Sequence, residues 1–454
     1  MTLYRATVID TPLDPFTVGP AKALRVESDA ALVVRDGVIV SRGPYADLAF
    51  QYATEDVVDL RDGILLPGLV DTHVHYPQIR AVAGLGLPLL DWLTRCALPE
   101  EARLVDEAYA SAVAGEFLDA LVDAGTTTAL VFGAHFAPAM EIFFAAAERS
   151  RLRITAGLVV SDRVLRPDLL TTPELALRDG QALVERWHGR GRLRYAVTPR
   201  FSLSTSDAML ESCAALLTAT DGLWFTSHLN ENRAEVAQVA ALFPDADHYL
   251  GSYAAHGLVT DHSVFAHNVH VTDAELDLMA TVGAWTAHCP TSNAALGSGL
   301  FPMRRHVERG VRVAMGSDVG AGTGFSMIKE GLQAYFLQQL QHADGLPVTP
   351  AHLLYLCTSA GAAALGLGGR VGELGVGKEF DAILLRPRPG STLATVLPHA
   401  ADDSDALAKI FALATPGDIA AVWVGGDKVS GLRPGPAASP SILSPAPPRH
   451  PPAR

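Results

Sequence analysis

The chain has 454 residues, a formal net charge of −14, 49% hydrophobic residues and 19% charged residues. This length exceeds that of a single-core domain, so we expect one large and one smaller domain. The acidic balance excludes nucleic acid as a partner, because phosphate binding needs clustered Lys and Arg. No run approaches 18 uninterrupted apolar residues and the first residues do not read as a signal peptide, so we expect no membrane partner and a cytoplasmic location.

Both ends of the chain are predicted to be β-structure. Strand-like segments occur at residues 7–9, 31–34, 38–40, 380–385, 420–424 and 428–429. The Asp36-Gly37 pair between the second and third segments suits a type I′ hairpin turn. We expect one small β-sandwich built from residues 1–66 and 371–431. Two separate β appendages are the alternative, although such small sheets are marginally stable alone.

Between these ends, continuous apolar runs alternate with helix-like stretches. The runs lie at residues 65–75, 126–131, 154–160, 195–198, 223–228, 263–267, 284–288 and 311–318. The helix-like stretches lie at residues 99–123, 138–149, 173–188, 206–219, 231–242, 272–280, 301–309 and 327–340. Eight such units in series predict an α/β fold, a (β/α)₈ barrel over residues 67–370. A doubly wound open sheet is the alternative, but its usual Gly-rich phosphate loop after an early strand is absent.

The end of the chain differs in composition from everything before it. Residues 434–454 include eight prolines in 21 positions. Such a composition cannot bury enough apolar surface to fold, so we predict a disordered tail over residues 432–454.

Metal-competent residues close several of the apolar runs. His73 and His75 end the first barrel run, and residues two apart on a strand point to the same face. Two converging imidazoles are half of a transition-metal site. Three later runs end in His228, His267 and Asp318. Agreement among four strand ends makes a metal centre the better interpretation than isolated structural histidines.

In a barrel, the carboxyl ends of all strands meet on one face, where active sites lie. We predict His73, His75, His228 and Asp318 as ligands of one Zn²⁺ per chain, with Fe²⁺ possible. An open position on such an ion holds water, whose pKa falls to about 7. Residues 190–201 contain no lysine, so a carboxylated-lysine bridge between two metals is not expected there.

Other strand-end residues are candidates for proton transfer and substrate contact. His267 is predicted to orient the bound hydroxide. Glu231, three residues after His228, suits a general acid/base, whereas a first-turn helix glutamate favoured by the dipole is the alternative. Arg200 with the adjacent Phe201 suits a planar, carbonyl-bearing ligand.

Three further histidines carry weaker expectations. His288 closes the seventh run, and the sequence leaves open whether it lines the pocket or is structural. His256 and His262 lie before the sixth run and are expected to be structural.

The chain resembles the guanine deaminases of the amidohydrolase superfamily. The resemblance covers residues 1–431 and is carried by the segments at residues 67–78, 89–93, 98–101, 198–201, 228–235, 288–293, 296–299 and 316–320. His-x-His with the later His and Asp marks only the superfamily. Tyr76-Pro77-Gln78, Asp91-Trp92-Leu93 and Arg200-Phe201 are the segments that narrow it.

The resemblance implies a distorted TIM-like barrel with a small β-sandwich, one zinc, and hydrolysis of guanine to xanthine and ammonia in a homodimer. It implies that His73, His75, His228 and Asp318 hold the metal, that Glu231 shuttles a proton to ring N3, and that His267 assists the hydroxide. Gln78, Arg200 and Phe201 would contact the purine. A metal-bound hydroxide then attacks the amino-bearing carbon, and Asp318 relays the second proton.

Two alternatives stay open on the sequence. Residues 202–205 and Ala321 depart from the usual guanine deaminase pattern, so a sibling aminohydrolase acting on a pterin or on 8-oxoguanine is the second interpretation. A non-catalytic scaffold on the same fold is the third. A scaffold should have lost metal ligands, and all four candidates are present.

Overall fold

The computed structural model describes residues 1–429, so the predicted tail at residues 432–454 lies outside the described part. The first four strands are β1 (Thr2–Asp10), β2 (Arg25–Arg35), β3 (Val38–Pro44) and β4 (Asp56–Pro67). Between β2 and β3, Asp36 and Gly37 have φ of 50° and 80°. Both central residues of a type I′ turn need positive φ, so the predicted turn type is confirmed.

Eight strands then form a parallel barrel sheet, the third of them in two pieces. They are β5 (Leu69–His75), β6 (Thr126–Phe132), β7 (Arg153–Gly157) with β8 (Val159–Val160), β9 (Leu193–Pro199), β10 (Trp224–Leu229), β11 (Ser263–His267), β12 (Trp285–His288) and β13 (Arg312–Met315). Neighbours pair in chain order from β5 to β13. Thr72 Oγ1 donates to the Met315 carbonyl at 2.8 Å, so the first and last strands meet. The near-closed barrel confirms the prediction and excludes the open sheet.

Helices follow the strands and cover the barrel. They include Glu107–Asp123, Ala137–Ser150, Pro173–Trp187, Asp207–Ala219, Arg233–Leu242, Asp273–Val282, Met303–Glu308, Met327–Leu340, Pro350–Cys357 and Ser359–Ala364. The predicted helix at residues 99–123 is wrong in one respect, because it is two helices, Leu98–Ala102 and Glu107–Asp123. Asp106 starts the second by accepting the Tyr109 amide at 2.9 Å. Among the described helices, none combines the length and apolar character that a bilayer span requires.

The last strands return to the first sheet. They are β14 (Ala382–Leu385), β15 (Ile419–Val424) and β16 (Asp427–Val429), and the sheet order is β16-β15-β14-β4-β1-β2-β3. One face encloses a core in which the rings of Tyr4 and Phe380 stack at 4.6 Å, beside Trp423. A second β unit from both chain ends is therefore present, as one continuous sheet, and separate appendages are excluded. The division at residues 66/67 and 370/371 stays a prediction.

Candidate active site

Three imidazoles and one carboxylate converge at the carboxyl ends of the barrel strands. His73 and His75 lie on β5, with their Nε2 atoms 3.2 Å apart. His228 on β10 places its Nε2 atom 3.2 Å from that of His75. Asp318, three residues after β13, places Oδ1 3.2 Å from the Nε2 atoms of both His73 and His75. All four side chains are buried.

This donor set fits a divalent metal ion. The four separations of 3.2 Å are short enough for donor atoms that share one ion at bond lengths of about 2.0–2.2 Å. Nitrogen lone pairs that face one another repel unless a cation lies between them. The cluster can therefore hold a metal, while its assignment as the ligand set stays a prediction.

His75 and His228 favour the neutral form that a metal ligand needs. Burial lowers the pKa of His75 to about 4, and burial together with the neighbouring imidazoles lowers the pKa of His228 well below its usual value. His228 Nδ1 lies 2.6 Å from the Arg200 carbonyl, to which only an N–H can donate. This contact leaves the Nε2 lone pair of His228 directed into the cluster.

Asp318 is held by the neighbouring strand. Its amide donates to the His73 carbonyl at 2.8 Å. The preceding residue, Ser317, donates its amide to buried Asp71 at 3.0 Å. Asp318 adopts a φ of 50°, a left-handed conformation that costs about 1 kcal/mol or more and that clusters at functional sites. Burial alone would raise the pKa of Asp318, but the imidazoles of His73 and His75 hold it well below the usual range.

Glu231 and His267 lie beside the cluster. The Glu231 Oε2 atom is 3.5 Å from His267 Nε2, which in turn is 3.8 Å from Asp318 Oδ2. His267 ends β11 with a φ of 69°. Its Nδ1 atom pairs with the Asn293 Oδ1 atom at 2.9 Å, so Nδ1 carries the proton and Nε2 faces the carboxyl groups.

Glu231 is not a first-turn helix residue. The helix begins at Arg233, and Asn232 and Glu235 form its capping box. Glu235 also accepts the Glu231 amide at 3.1 Å, which fixes the loop that carries Glu231. Burial, followed by the charge of Asp318, raises the pKa of Glu231 well above its usual value. The raised pKa favours the protonated form of Glu231, and because the helix begins only at Arg233, the alternative of a first-turn helix glutamate is wrong.

A small cavity opens beside these groups. It is lined by His75, Gln78, Leu89, Trp92, Leu93, Arg200, Phe201, His228, Glu231, Leu296, Asp318 and Ala321. The predicted substrate residues Gln78, Arg200 and Phe201 thus share one cavity with Glu231 and with every member of the metal-competent cluster except His73.

A buried acid behind the cavity was not foreseen as a site residue. Glu101 accepts from Arg200 Nη1 at 2.8 Å on both carboxylate oxygens and from Gln78 Nε2 at 2.6 Å. His135 Nε2 lies 3.1 Å from the same carboxylate. Burial alone would raise the pKa of Glu101, but Arg200 and His135 hold it well below its usual value.

Phe132 is a second residue that the sequence did not single out. It ends β6, and its ring centroid lies 4.6 to 4.8 Å from those of His73, His75 and His228. This packing limits how far the three imidazoles can turn. The sequence did contain a sign of this placement, because Phe132 directly follows the second apolar run and so lies at a predicted strand end.

The three histidines with weaker expectations, His256, His262 and His288, do not line the cavity. His288 is fully buried and stacks on Phe301 with ring centroids 4.3 Å apart, and it is not among the cavity-lining residues. His262 stacks on Trp224 at 4.4 Å, and His256 lies 3.1 Å from Asp207. The structure thus gives His256 and His262 packing contacts away from the metal-competent cluster.

The model of the amidohydrolase family matches residues 64–429. The chain belongs to the amidohydrolase family. This amidohydrolase is 58% identical to the probable guanine deaminase of Deinococcus radiodurans, over 94% of its own length and 98% of the relative's. The structure of guanine deaminase from E. coli superposes with a TM-score of 0.92 at 35% identity, covering 95% of this chain and 100% of the other.

A third similar protein was solved with a ligand. It is guanine deaminase from C. acetobutylicum with guanine bound in the active site, and it superposes with a TM-score of 0.87 at 25% identity. The match covers 94% of this chain and 100% of the other. The fold of this amidohydrolase is thus shared with guanine deaminases of known structure.

Proposed function

We propose that this amidohydrolase hydrolyses guanine to xanthine and ammonia, using one divalent metal ion per chain, with zinc the first choice and Fe²⁺ the second. One observation carries the proposal: three members of the metal-competent cluster (His75, His228 and Asp318), Glu231 and the donors Arg200 and Gln78 line a single cavity. The similarity to guanine deaminases, one of them with guanine bound, supports the choice of substrate.

His73, His75, His228 and Asp318 are the residues that would hold the metal. When bound, such an ion supplies Lewis acidity that lowers the pKa of water and so makes a nucleophile available at neutral pH. His267, with Nε2 within 4 Å of both Glu231 and Asp318, would orient the attacking water by a hydrogen bond.

Two carboxyl groups divide the proton transfers. Glu231 lines the cavity and its raised pKa favours the protonated form, so it gives its proton to ring N3 of guanine as the amino-bearing carbon is attacked. Asp318 is ionised and accepts one proton of the attacking water, which it passes to the departing amino group to give ammonia. The remaining hydroxyl proton returns to Glu231 as the amino-bearing carbon becomes the carbonyl carbon of xanthine. The opposite directions of the two pKa shifts support these roles.

Arg200, Gln78 and Phe201 would recognise the purine away from its 2-amino group. Arg200 is the guanidinium that lines the cavity, and it donates to a carbonyl oxygen. Gln78 can donate and accept, which suits the mixed edge of an oxopurine. Phe201 supplies apolar contact to the ring. Adenine would place an amine donor against Arg200, where guanine places its carbonyl.

The chain's assembly and place in the cell are proposals of the same kind. We propose a homodimer, a cytoplasmic location and a role in purine catabolism, all supported by the resemblance to guanine deaminases. Light scattering of the purified chain tests the dimer, and a mass of one chain would contradict it.

A substrate panel tests the proposed function. We expect ammonia release from guanine, no measurable release from adenine or cytosine, and discrimination of roughly 10⁴-fold, because an unpaired buried donor is costly. Preferential turnover of a pterin or of 8-oxoguanine would instead assign the chain to a sibling aminohydrolase.

An arginine variant tests how the site discriminates among these substrates. Arg200→Ala should retain its metal and lose most of the guanine activity, because Arg200 is assigned to the substrate. The control Arg178→Ala removes an exposed guanidinium that pairs with Asp179 and should leave the activity unchanged. A normal guanine rate in Arg200→Ala would contradict the recognition scheme.

A further inference from the structure

Glu101 contacts both polar recognition groups of the cavity without lining the cavity itself. It lies on the short helix Leu98–Ala102, and its side chain is 2% exposed. Its carboxylate accepts from Gln78 Nε2 and from Arg200 Nη1. A buried carboxylate in this position controls two properties of the site: how the Gln78 amide is turned, and how much charge Arg200 presents.

The first property is the orientation of the Gln78 amide. Its Nε2 atom donates to Glu101 at 2.6 Å, and its Oε1 atom accepts the Gly320 amide at 3.1 Å. Turning the amide by 180° would place oxygen against carboxylate and N–H against N–H, so only one orientation is compatible with both partners. The second N–H of Nε2 is thereby kept available as a donor for the ligand.

The second property is the charge of the cavity. Within residues 1–429, both side-chain hydrogen bonds of Arg200 leave from Nη1 and end on Glu101, so Nε and Nη2 remain as donors. The carboxylate at 2.8 Å offsets the guanidinium charge inside a buried site. Arg200 therefore offers donors to a carbonyl oxygen while its own positive charge, which would attract an anion, is offset by Glu101.

We infer that Glu101 is a positioning residue that sets substrate specificity: by fixing the Gln78 amide and neutralising Arg200, it selects a neutral oxopurine over an anionic one. This inference rests on the proposed function, because it takes guanine as the ligand. The preference has a use in catalysis. The product xanthine ionises more readily than guanine, so a neutralised Arg200 favours release of the product.

The variant Glu101→Gln tests the inference, since it keeps the size and removes the charge. The new amide has only one oxygen, so if it accepts from Gln78 Nε2, its own N–H groups lie against the donors of Arg200. Arg200 also loses its counter-charge. We expect the KM for guanine to rise ~10-fold or more, with kcat within ~3-fold and metal content per chain unchanged. Xanthine, assayed at a pH where it is anionic, should inhibit at least ~10-fold more strongly.

Two further variants separate charge from fold. Glu101→Asp keeps the charge but shortens the side chain, so the KM for guanine should rise without any gain in xanthine inhibition. If Glu101→Gln does not fold, this second variant still tests the inference. Glu116→Gln, which breaks an exposed pair with Arg80, is the matched control and should behave as the wild type. Unchanged KM and unchanged xanthine inhibition in Glu101→Gln would overturn the inference. So would a joint fall in kcat, metal content and melting temperature, which marks a merely structural residue.

Failure of the proposed function can be distinguished from failure of the inference about Glu101. If the wild type releases no ammonia from guanine, that function is wrong, whereas Glu101 can still be tested by binding. Trp92 lines the cavity, so quenching of tryptophan fluorescence reports occupancy without turnover. Tighter binding of anionic xanthine to Glu101→Gln than to the wild type supports the inference, and equal binding contradicts it.

Discussion

Two carboxyl groups in one cavity have pKa values displaced in opposite directions. Burial and the charge of Asp318 raise the pKa of Glu231, while the imidazoles of His73 and His75 lower that of Asp318. When their environments displace the pKa values of two titratable groups in opposite directions, one site can provide an acid and a base at the same pH. Glu231 is therefore the proton donor and Asp318 the acceptor in the proposed reaction.

The variant Glu231→Gln tests that division. Glu231 is outside the metal-competent cluster, so the variant should retain its metal and lose at least ~10²-fold in kcat, the usual scale for a positioned acid/base. Glu211→Gln, on the exposed face of the helix Asp207–Ala219, is the control and should retain full activity. Loss of metal from Glu231→Gln, or normal turnover, would show that the role is misassigned.

The variant His228→Ala tests the ligand set. It removes one of four converging donors, so we expect loss of both bound metal and activity in the same preparation. His256→Ala removes a histidine that pairs with Asp207 instead, and should change neither. Elemental analysis and ammonia release measure the two effects, and a fully metallated His228→Ala would remove His228 from the set.

The sequence predicted which residues meet at the cluster, because strand ends gather at one face of a barrel and residues two apart on a strand share a side. The placement of Glu101 could not be predicted in this way. Its partners Gln78, His135 and Arg200 come from three other segments, and Glu101 itself lies on a five-residue helix. Only the folded arrangement shows that one carboxylate joins them.

At the level of elements, fully buried strands were the easiest to predict. Strands such as β5 and β6 are buried at every position and read as continuous apolar runs. The helix Met327–Leu340 has the predicted bounds. The segment between β5 and the helix Glu107–Asp123 was harder, because it consists of 3₁₀, π and α turns too short to show a helical period.

The hairpin between β2 and β3 gives a test of backbone constraints. Gly37 has a φ of 80°, and a Cβ there would lie 2.3 Å from the Gly425 carbonyl oxygen. Gly37→Ala should therefore lower the free energy of unfolding by ~2 kcal/mol or more, from left-handed strain plus backbone displacement. Gly390 also has a φ of 80°, but open space surrounds its Cβ position, so Gly390→Ala shows the strain alone. If urea unfolding shows the same loss of free energy of unfolding for both variants, the contact with the Gly425 carbonyl oxygen makes no contribution.

At the scale of the whole molecule, buried ion pairs join the barrel to the terminal sheet. Arg153 on β7 contacts Asp381 at 2.7 Å and Glu379 at 2.6 Å, just before β14. The sheet itself pairs β4 with both β1 and β14. The sequence predicted that both ends form one β unit, but not these bridges, since their partners lie more than 200 residues apart.

A buried acid outside the metal-competent cluster makes the stability of the molecule depend on pH. Glu330 accepts from the Thr291 amide at 3.0 Å and from its hydroxyl at 2.8 Å, and burial raises the pKa of Glu330 from 4.5 to about 8. Between these values the folded state keeps a proton that the unfolded state releases. The contribution of Glu330 to stability is therefore complete below pH 4.5 and is lost as the pH rises to about 8.

The variant Glu330→Gln should remove this dependence, because an amide mimics the protonated acid. From pH 5 to pH 8 the wild type should lose stability relative to the variant by ~1.4 kcal/mol per pH unit, the value for one proton. Melting temperatures of both proteins across that range measure the difference. A difference that does not change with pH would show that Glu330 ionises normally.

The central claim is that one metal ion held by His73, His75, His228 and Asp318 supports hydrolysis of guanine. The most direct measurement removes the metal with a chelator, adds zinc back in steps, and follows xanthine and ammonia against bound metal. We predict equal amounts of the two products and a rate that rises linearly and levels at one equivalent per chain. A rate that does not depend on the bound metal, or that levels only at two equivalents of metal per chain, would contradict the account.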